Sequence, residues 1–122
     1  MPMIRETIVT TVDASGQVHI APLGLISEGD DWIIAPFRPS RTLDNLQAVP
    51  HAVASHVDDV RVFAGCLTGR SDWPTVPTGG PVPRLDAALS HWELQVRSIT
   101  EDEQRPRFRM RVNAAVSHAP AQ

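Results

Sequence analysis

A single cysteine, Cys66, excludes an internal disulfide and any zinc cage built from this chain's thiolates alone. It reads as a small buried hydrophobe. No run of residues is apolar for long enough to span a bilayer. The opening Met1-Pro2-Met3-Ile4-Arg5-Glu6 lacks the apolar stretch of a signal peptide. A cytoplasmic location with no membrane partner is therefore expected. Positive charge is not in excess. The 11 Lys and Arg against 14 Asp and Glu leave a net charge of -3, so no basic field exists to hold nucleic acid. A Gly-rich P-loop and a nucleophile elbow are both missing. His19, His51, His56, His91 and His118 fall in no metal-site spacing, so no metal is expected and each reads as solvated or satisfied in the core. Tyrosine is absent, while proline, at 11, is plentiful.

The 122 residues suit one domain, 1–122, with one core. A hydrophobic share of 42% excludes a disordered chain. Ile4 to Val12 is rich in Ile, Val and Thr and reads as a strand. After a turn at Asp13–Gly16, Gln17 to Ile26 reads as a second strand, where Pro22 implies an edge or a bulge. Trp32 to Phe37 completes a meander. Ala52 to Val57 and Val60 to Ala64 read as two more strands about Asp58-Asp59. Trp92 to Ile99 and Phe108 to Val112 alternate polar and apolar residues and read as half-buried strands. Arg107, Arg109 and Arg111 form a basic strip on the second of these: a solvated face, a dimer contact or an anion site. The paired acids Asp30-Asp31 and Asp58-Asp59 read as solvated turn residues. With one short helix after the third strand, about seven strands predict a mainly β, closed or nearly closed barrel. Residues 69–84, crowded with proline and glycine, form a loop: a lid, a binding loop or a mobile segment. Residues 117–122 are expected to fray.

Two stretches have chemical potential. In Arg38-Pro39-Ser40-Arg41-Thr42-Leu43-Asp44-Asn45, Ser40 caps a helix that Pro50 stops. A helix start presents unpaired amides and partial positive charge. Arg38 and Arg41 add fork-shaped donors, and Ser40 and Thr42 add hydroxyls. This is either a phosphate cradle or a capped helix with two solvated arginines, and composition alone favours the latter. In His19-Ile20-Ala21-Pro22-Leu23-Gly24, Pro22 and Gly24 interrupt regular pairing. They mark an ordinary bulge at a barrel corner, or they leave backbone groups for a ligand ring. No catalytic residue is identified.

Glu6–Thr11, His19–Gly24, Ser40–Leu46 and Pro83–Glu93 together resemble, in order and spacing, the split-barrel family called domain of unknown function 447. That family is similar to the FMN-binding split barrels, which include flavin reductases and pyridoxamine-phosphate oxidases. The resemblance spans about Ile4 to Val112. It implies a six- or seven-stranded Greek-key split barrel that works as a homodimer, with FMN, or a deazaflavin, in the groove between subunits. The phosphate would sit beside Arg38, Ser40, Arg41 and Thr42, with Asn45 one turn on. The ring would lie against Ala21, Pro22 and Leu23. The resemblance also implies a link to tetrahydromethanopterin-dependent one-carbon transfer, and a longer helical C-terminal extension than this chain has. The function expected is an FMN-dependent oxidoreductase or flavin reductase of unknown substrate. The alternatives are a non-catalytic flavin or tetrapyrrole carrier and an interaction subunit on the same barrel.

Overall fold

The computed structural model describes residues 2–58, 60–67 and 72–118. The first strands, β1 (Ile4–Val12), β2 (Val18–Glu28) and β3 (Asp31–Ile34), form an antiparallel meander. Its two turns contain Gly16 and Gly29 at φ of 88° and 62°, a region that favours glycine. The Asp13 carboxylate locks the first turn by accepting from the amides of Ser15 and Gln17, both at 2.9 Å. Helix α1 (Arg41–Ala48) leads to β4 (His51–His56), and helix α2 (Val60–Leu67) follows. A ribbon of β5 (Thr75–Val76) and β6 (Arg84–Leu85) precedes the long hairpin of β7 (Ser90–Thr100) and β8 (Arg107–Ser117). The six longer strands close in the order β1-β2-β3-β8-β7-β4, giving the mainly β split barrel the sequence suggested.

Side-chain alternation fills the barrel. Val9, Leu25, Ile34, Leu94, Phe108 and Met110 point inward, and Leu43 and Leu46 of α1 join their cluster. Complete burial of a side chain such as Phe108 contributes about 1.5–3 kcal/mol. On β8 the alternation runs as expected, with Arg107 and Arg111 exposed and Phe108 and Met110 buried.

A second layer covers β1 on its outer side, so β1 is buried on both faces from Thr7 to Val12. Ile8 and Ile20 pack there against Val62 and Cys66 of α2 and against Leu85 and Ala88. Cys66 is the buried small hydrophobe expected. Val60–Ala64 is not a strand. It belongs to α2, because Val62 and Cys66, four apart, meet Ile20 on one side of a helix. The barrel therefore has six strands, and there are two helices among the described residues.

Residues 72–84, the described part of the proline-rich loop, are pinned to the barrel. Thr10 Oγ1 donates to the Pro83 carbonyl at 2.6 Å, the Leu85 amide to Ser55 Oγ at 3.2 Å, and the Asp86 amide to the Pro74 carbonyl at 3.0 Å. Residues 69–71 of that loop lie outside the described residues. The chain end is ordered further than expected. Ser117 closes β8, and the His118 amide donates to the Leu89 carbonyl at 2.6 Å. Residues 119–122 lie outside the described residues.

Candidate functional site

Ser40, with extended backbone, caps α1: its hydroxyl accepts from the Leu43 amide at 3.2 Å. Its carbonyl takes the Asp44 amide at 3.1 Å. The amides of Arg41 and Thr42 then have no protein acceptor among the described residues. Thr42 is buried and Arg41 exposed. This is an anion-accepting arrangement: two amides at the positive end of a helix with a guanidinium beside them. His19 on β2 lies within electrostatic reach of Arg41. Burial, then the Arg41 charge, hold its imidazole below the ordinary 6.5, favouring the neutral ring.

From β2 the structure adds an unpaired edge. β2 meets β1 along Val18–Ile26 but meets β3 only from Ile26 onward. Val18–Leu25 is therefore ladder-bonded on one side. Pro22 faces Ile8 in unbroken register, so it marks an edge and not a bulge. Proline has no amide hydrogen, which makes Ile8–Pro22 a pair whose backbones turn away from each other. The alternation then directs the Ile20 and Gly24 amides and the Pro22 carbonyl to the unpaired side. Ala21, Pro22 and Leu23 are half-buried there. Gly24 has a steric reason of its own: a Cβ would come within 3.0 Å of Ile4 Cγ2.

Ser40, Arg41 and Thr42, consecutive in the chain, stand together at the start of α1. Arg38 and Asn45 do not join them. The Arg38 guanidinium reaches the β7–β8 turn, 3.3 Å from Glu101 Oε2 and 3.3 Å from the Asp102 carbonyl oxygen. It lines an open hollow of about 390 Å³ with Glu101, Asp102 and Glu103, whose carboxylates repel a phosphate. Asn45 is buried, and its Nδ2 donates inward to Thr11 Oγ1 at 3.1 Å. Asn45 and Leu46, three and four residues after the buried Thr42, share its barrel side of α1.

The arginine strip faces a carboxylate cluster. Arg109 holds Asp31 at 2.7 Å and Glu28 at 2.7 Å, Arg97 holds Asp31 at 3.2 Å, and Arg107 reaches Glu28 at 3.7 Å. Asp31 is thus not the solvated turn residue expected, because the strip across the barrel seam buries it. The Arg109 hydrogen bond, then the Arg97 and Arg109 charges, hold its carboxyl below the ordinary 3.8. Asp30 and Asp58 are exposed, as expected, and Asp59 lies outside the described residues.

The histidines divide. His91 is buried, with Nδ1 2.6 Å from His118 Nε2 and Nε2 3.0 Å from Glu93 Oε2. It is a satisfied core histidine. His56 departs from that expectation: both ring nitrogens are buried without a partner among the described residues, and the ring meets Trp92 edge-on at 4.8 Å. Burial, then the Arg5 and His91 charges, hold its imidazole below 6.5. Trp92 also packs on Trp32, with centroids 5.1 Å apart, and takes the Arg5 guanidinium on its face. Glu93 borders a cavity of about 230 Å³ that the sequence did not reveal. His91 and Glu93, two apart on one strand, share a face. That pairing was the available signal. No cluster of three or more His, Cys, Asp and Glu side chains among the described residues is arranged to hold a metal. No described helix is long and apolar enough to cross a membrane.

Similar folds occur in solved structures. An FMN-bound protein from Methanosarcina mazei, assigned to family DUF447, superposes with a TM-score of 0.80 at 18% identity, over 94% of this chain and 61% of that one. The 2-nitrobenzoate 2-nitroreductase of Pseudomonas fluorescens gives 0.78 at 22% identity, over 96% of this chain and 64% of that one. An FMN-binding protein from Thermus thermophilus, with bound 1-cyclohex-2-enone, gives 0.76 at 18% identity, over 96% and 71%. This chain spans less than two thirds of the length of the first two. At such identities the likeness establishes the fold. No curated protein matches. The match to a family model does more: covering residues 5–119, it shows that this chain belongs to the family described as protein of unknown function (DUF447), N-terminal domain.

Proposed function

We propose that this chain is a flavin-binding barrel that takes FMN and, as a homodimer, serves as an FMN-dependent oxidoreductase or flavin reductase. The observation that carries the reading is the approach of two incomplete regions: the unpaired side of β2 and the capped start of α1, which meet where His19 feels Arg41. The amides of Arg41 and Thr42, with the Arg41 guanidinium, hold the phosphate. The Ile20 and Gly24 amides and the Pro22 carbonyl face the polar edge of the ring, beside Ala21 and Leu23. The related fold from Methanosarcina mazei, which is FMN-bound, supports the choice of cofactor. Bound flavin supplies hydride or electron transfer, and the chain supplies binding, orientation and a dry wall. Arg38 and Asn45 are left out of this cradle because their side chains are engaged elsewhere. An unpaired strand edge is a liability in a lone barrel, and a second copy that shields it together with the cofactor removes the liability.

The test is the visible spectrum of the purified protein, mass spectrometry of what denaturation releases, and an FMN titration. The expected result is a flavin spectrum or saturable uptake, with Arg41→Ala weakening FMN by at least about tenfold, the worth of one charge-assisted hydrogen bond. Light scattering of the loaded protein is expected to report a dimer. Turnover of NADH or NADPH by that protein separates a reductase from a carrier. A protein that neither retains nor takes up FMN overturns the reading, and preferential uptake of a deazaflavin moves it to that cofactor.

A further inference from the structure

The cavity of about 230 Å³ beside Glu93 shares no residue with the β2 edge or the start of α1. Its floor is the outward face of β4 and β7, and its roof is the turn through Thr78, Gly79 and Gly80. That roof is a defined structure. Thr78 Oγ1 donates to the Val82 carbonyl at 2.6 Å and accepts from the Gly80 amide at 3.3 Å. Val82, only 2% exposed, anchors it against Val12 and Val53. Val53, Val82 and Ala114 give the cavity apolar walls.

Into this space projects a carboxylate whose side chain is 18% exposed. Oε2 of Glu93 is bonded to His91, which in turn bonds to His118. Oε1 has no hydrogen bond among the described residues, and it faces the two glycines. A Cβ at Gly79 would stand 3.3 Å from Oε1, and one at Gly80 3.7 Å. Neither glycine has a positive φ, so the backbone does not require glycine there. What the two glycines preserve is space over Oε1. Oε1 is thus open to the cavity, and a cation brought to it would add a charge-assisted contact. The neighbouring Asn113 cannot act in its place, because its amide is bonded to Gln95 and Arg111. As for size, an engineered apolar cavity of about 150 Å³ accepts benzene, so this one has room for a single ring bearing a short charged arm.

We propose that the cavity beneath the 78–82 turn binds a small organic ammonium ion, its charged head on Glu93 Oε1 and an apolar body of about one ring against Val53, Val82 and Ala114. The site is independent of the flavin reading and stands or falls separately. The probe is benzylamine, protonated at neutral pH, titrated into isotopically labelled protein and followed by amide chemical shifts. Saturable shifts at Gly79, Gly80 and Ala114 are expected. Glu93→Gln should weaken binding by at least about tenfold, and benzyl alcohol should bind wild type more weakly by a similar factor, because each removes a charge-assisted contact. Gly80→Leu, on an exposed turn, fills the space from above and should abolish binding even where Glu93→Gln folds poorly. FMN uptake should be unchanged in Gly80→Leu, which separates this site from the cradle. Absence of saturable shifts, equal binding by Glu93→Gln, equal binding of benzyl alcohol, or undiminished binding by Gly80→Leu would each overturn the proposal.

Discussion

β2 and β7 are both eleven residues long, yet they end in opposite circumstances. β7 has β8 along its whole length and β4 along its first six residues, Ser90–Gln95, and β8 carries the arginines that neutralise Glu28 and Asp31 across the seam. Over Ser90–Gln95 its backbone groups have partners on both sides, and the Val96 amide adds the Pro50 carbonyl. β2 has β1 along one side, while on the other it is paired only over its last three residues, Ile26–Glu28. The difference teaches where this barrel invests in stability and where it leaves valences for something else. A closed wall can be broken by a small change. An edge that already lacks an amide at Pro22 tolerates change in the fold and registers it in binding.

Proline exchange breaks the comparison most sharply. Val53 is flanked by Thr10 on β1 and by Glu93 on β7. Val53→Pro removes an amide from the middle of a doubly paired strand and is expected to eliminate the cooperative unfolding transition seen by circular dichroism. Phe108→Ala, on the closed wall, is expected to cost about 3–5 kcal/mol in urea denaturation through the cavity it leaves. Ser40→Ala, at the open side's helix, is expected to cost about 1 kcal/mol and to weaken FMN, because the Leu43 amide loses its acceptor and the first turn frays.

Arg109→Ala tests the seam, with an effect set by pH. The Asp31 carboxyl is held below its ordinary 3.8 chiefly by the Arg109 hydrogen bond. A depressed folded-state value contributes stability that is present above the unfolded value and disappears as pH falls through the folded one. Wild type should therefore lose melting temperature as pH falls below about 4, and Arg109→Ala should lose less over that range while starting lower at neutral pH. The smallest effect is expected from Pro22→Thr. The restored amide points to the unpaired side, so stability should shift by no more than ~0.5 kcal/mol. Its effect should be read in the FMN titration instead.

The strands of the meander and hairpin were legible because β-branched and alternating residues in Ile4–Val12 and Phe108–Val112 match the pleat of a half-buried or covered sheet. Pro22 announced an edge or a bulge, and Ser40 a cap, for reasons confined to a few residues of backbone. The start of α1 was legible as a choice between an anion cradle and a capped helix with solvated arginines, because Ser40, Arg41 and Thr42 are consecutive. α2 was not legible. Val60-Arg61-Val62-Phe63-Ala64 has the β-branched and aromatic residues of a strand, and only the outer surface of β1 and β2, offering Ile8 and Ile20, makes a helix the better way to bury Val62 with Cys66. Local propensity is weak against such burial.

By itself, then, the sequence determined the mainly β class, the capped helix and the burial of Cys66, since each follows from sterics or hydrophobicity over a short span, while the choice between edge and bulge at Pro22 fell to the register of β1 and β2. Tertiary structure alone decided the direction of long side chains. Arg38 turned to Glu101, Asn45 to Thr11, Asp31 to Arg109 and Glu93 to His91, across sequence separations that no local pattern encodes except the last. The reason is physical: a charged or amide group brought near the interior takes whichever partner the closed barrel puts within reach, because leaving it unpaired costs more than any local preference returns.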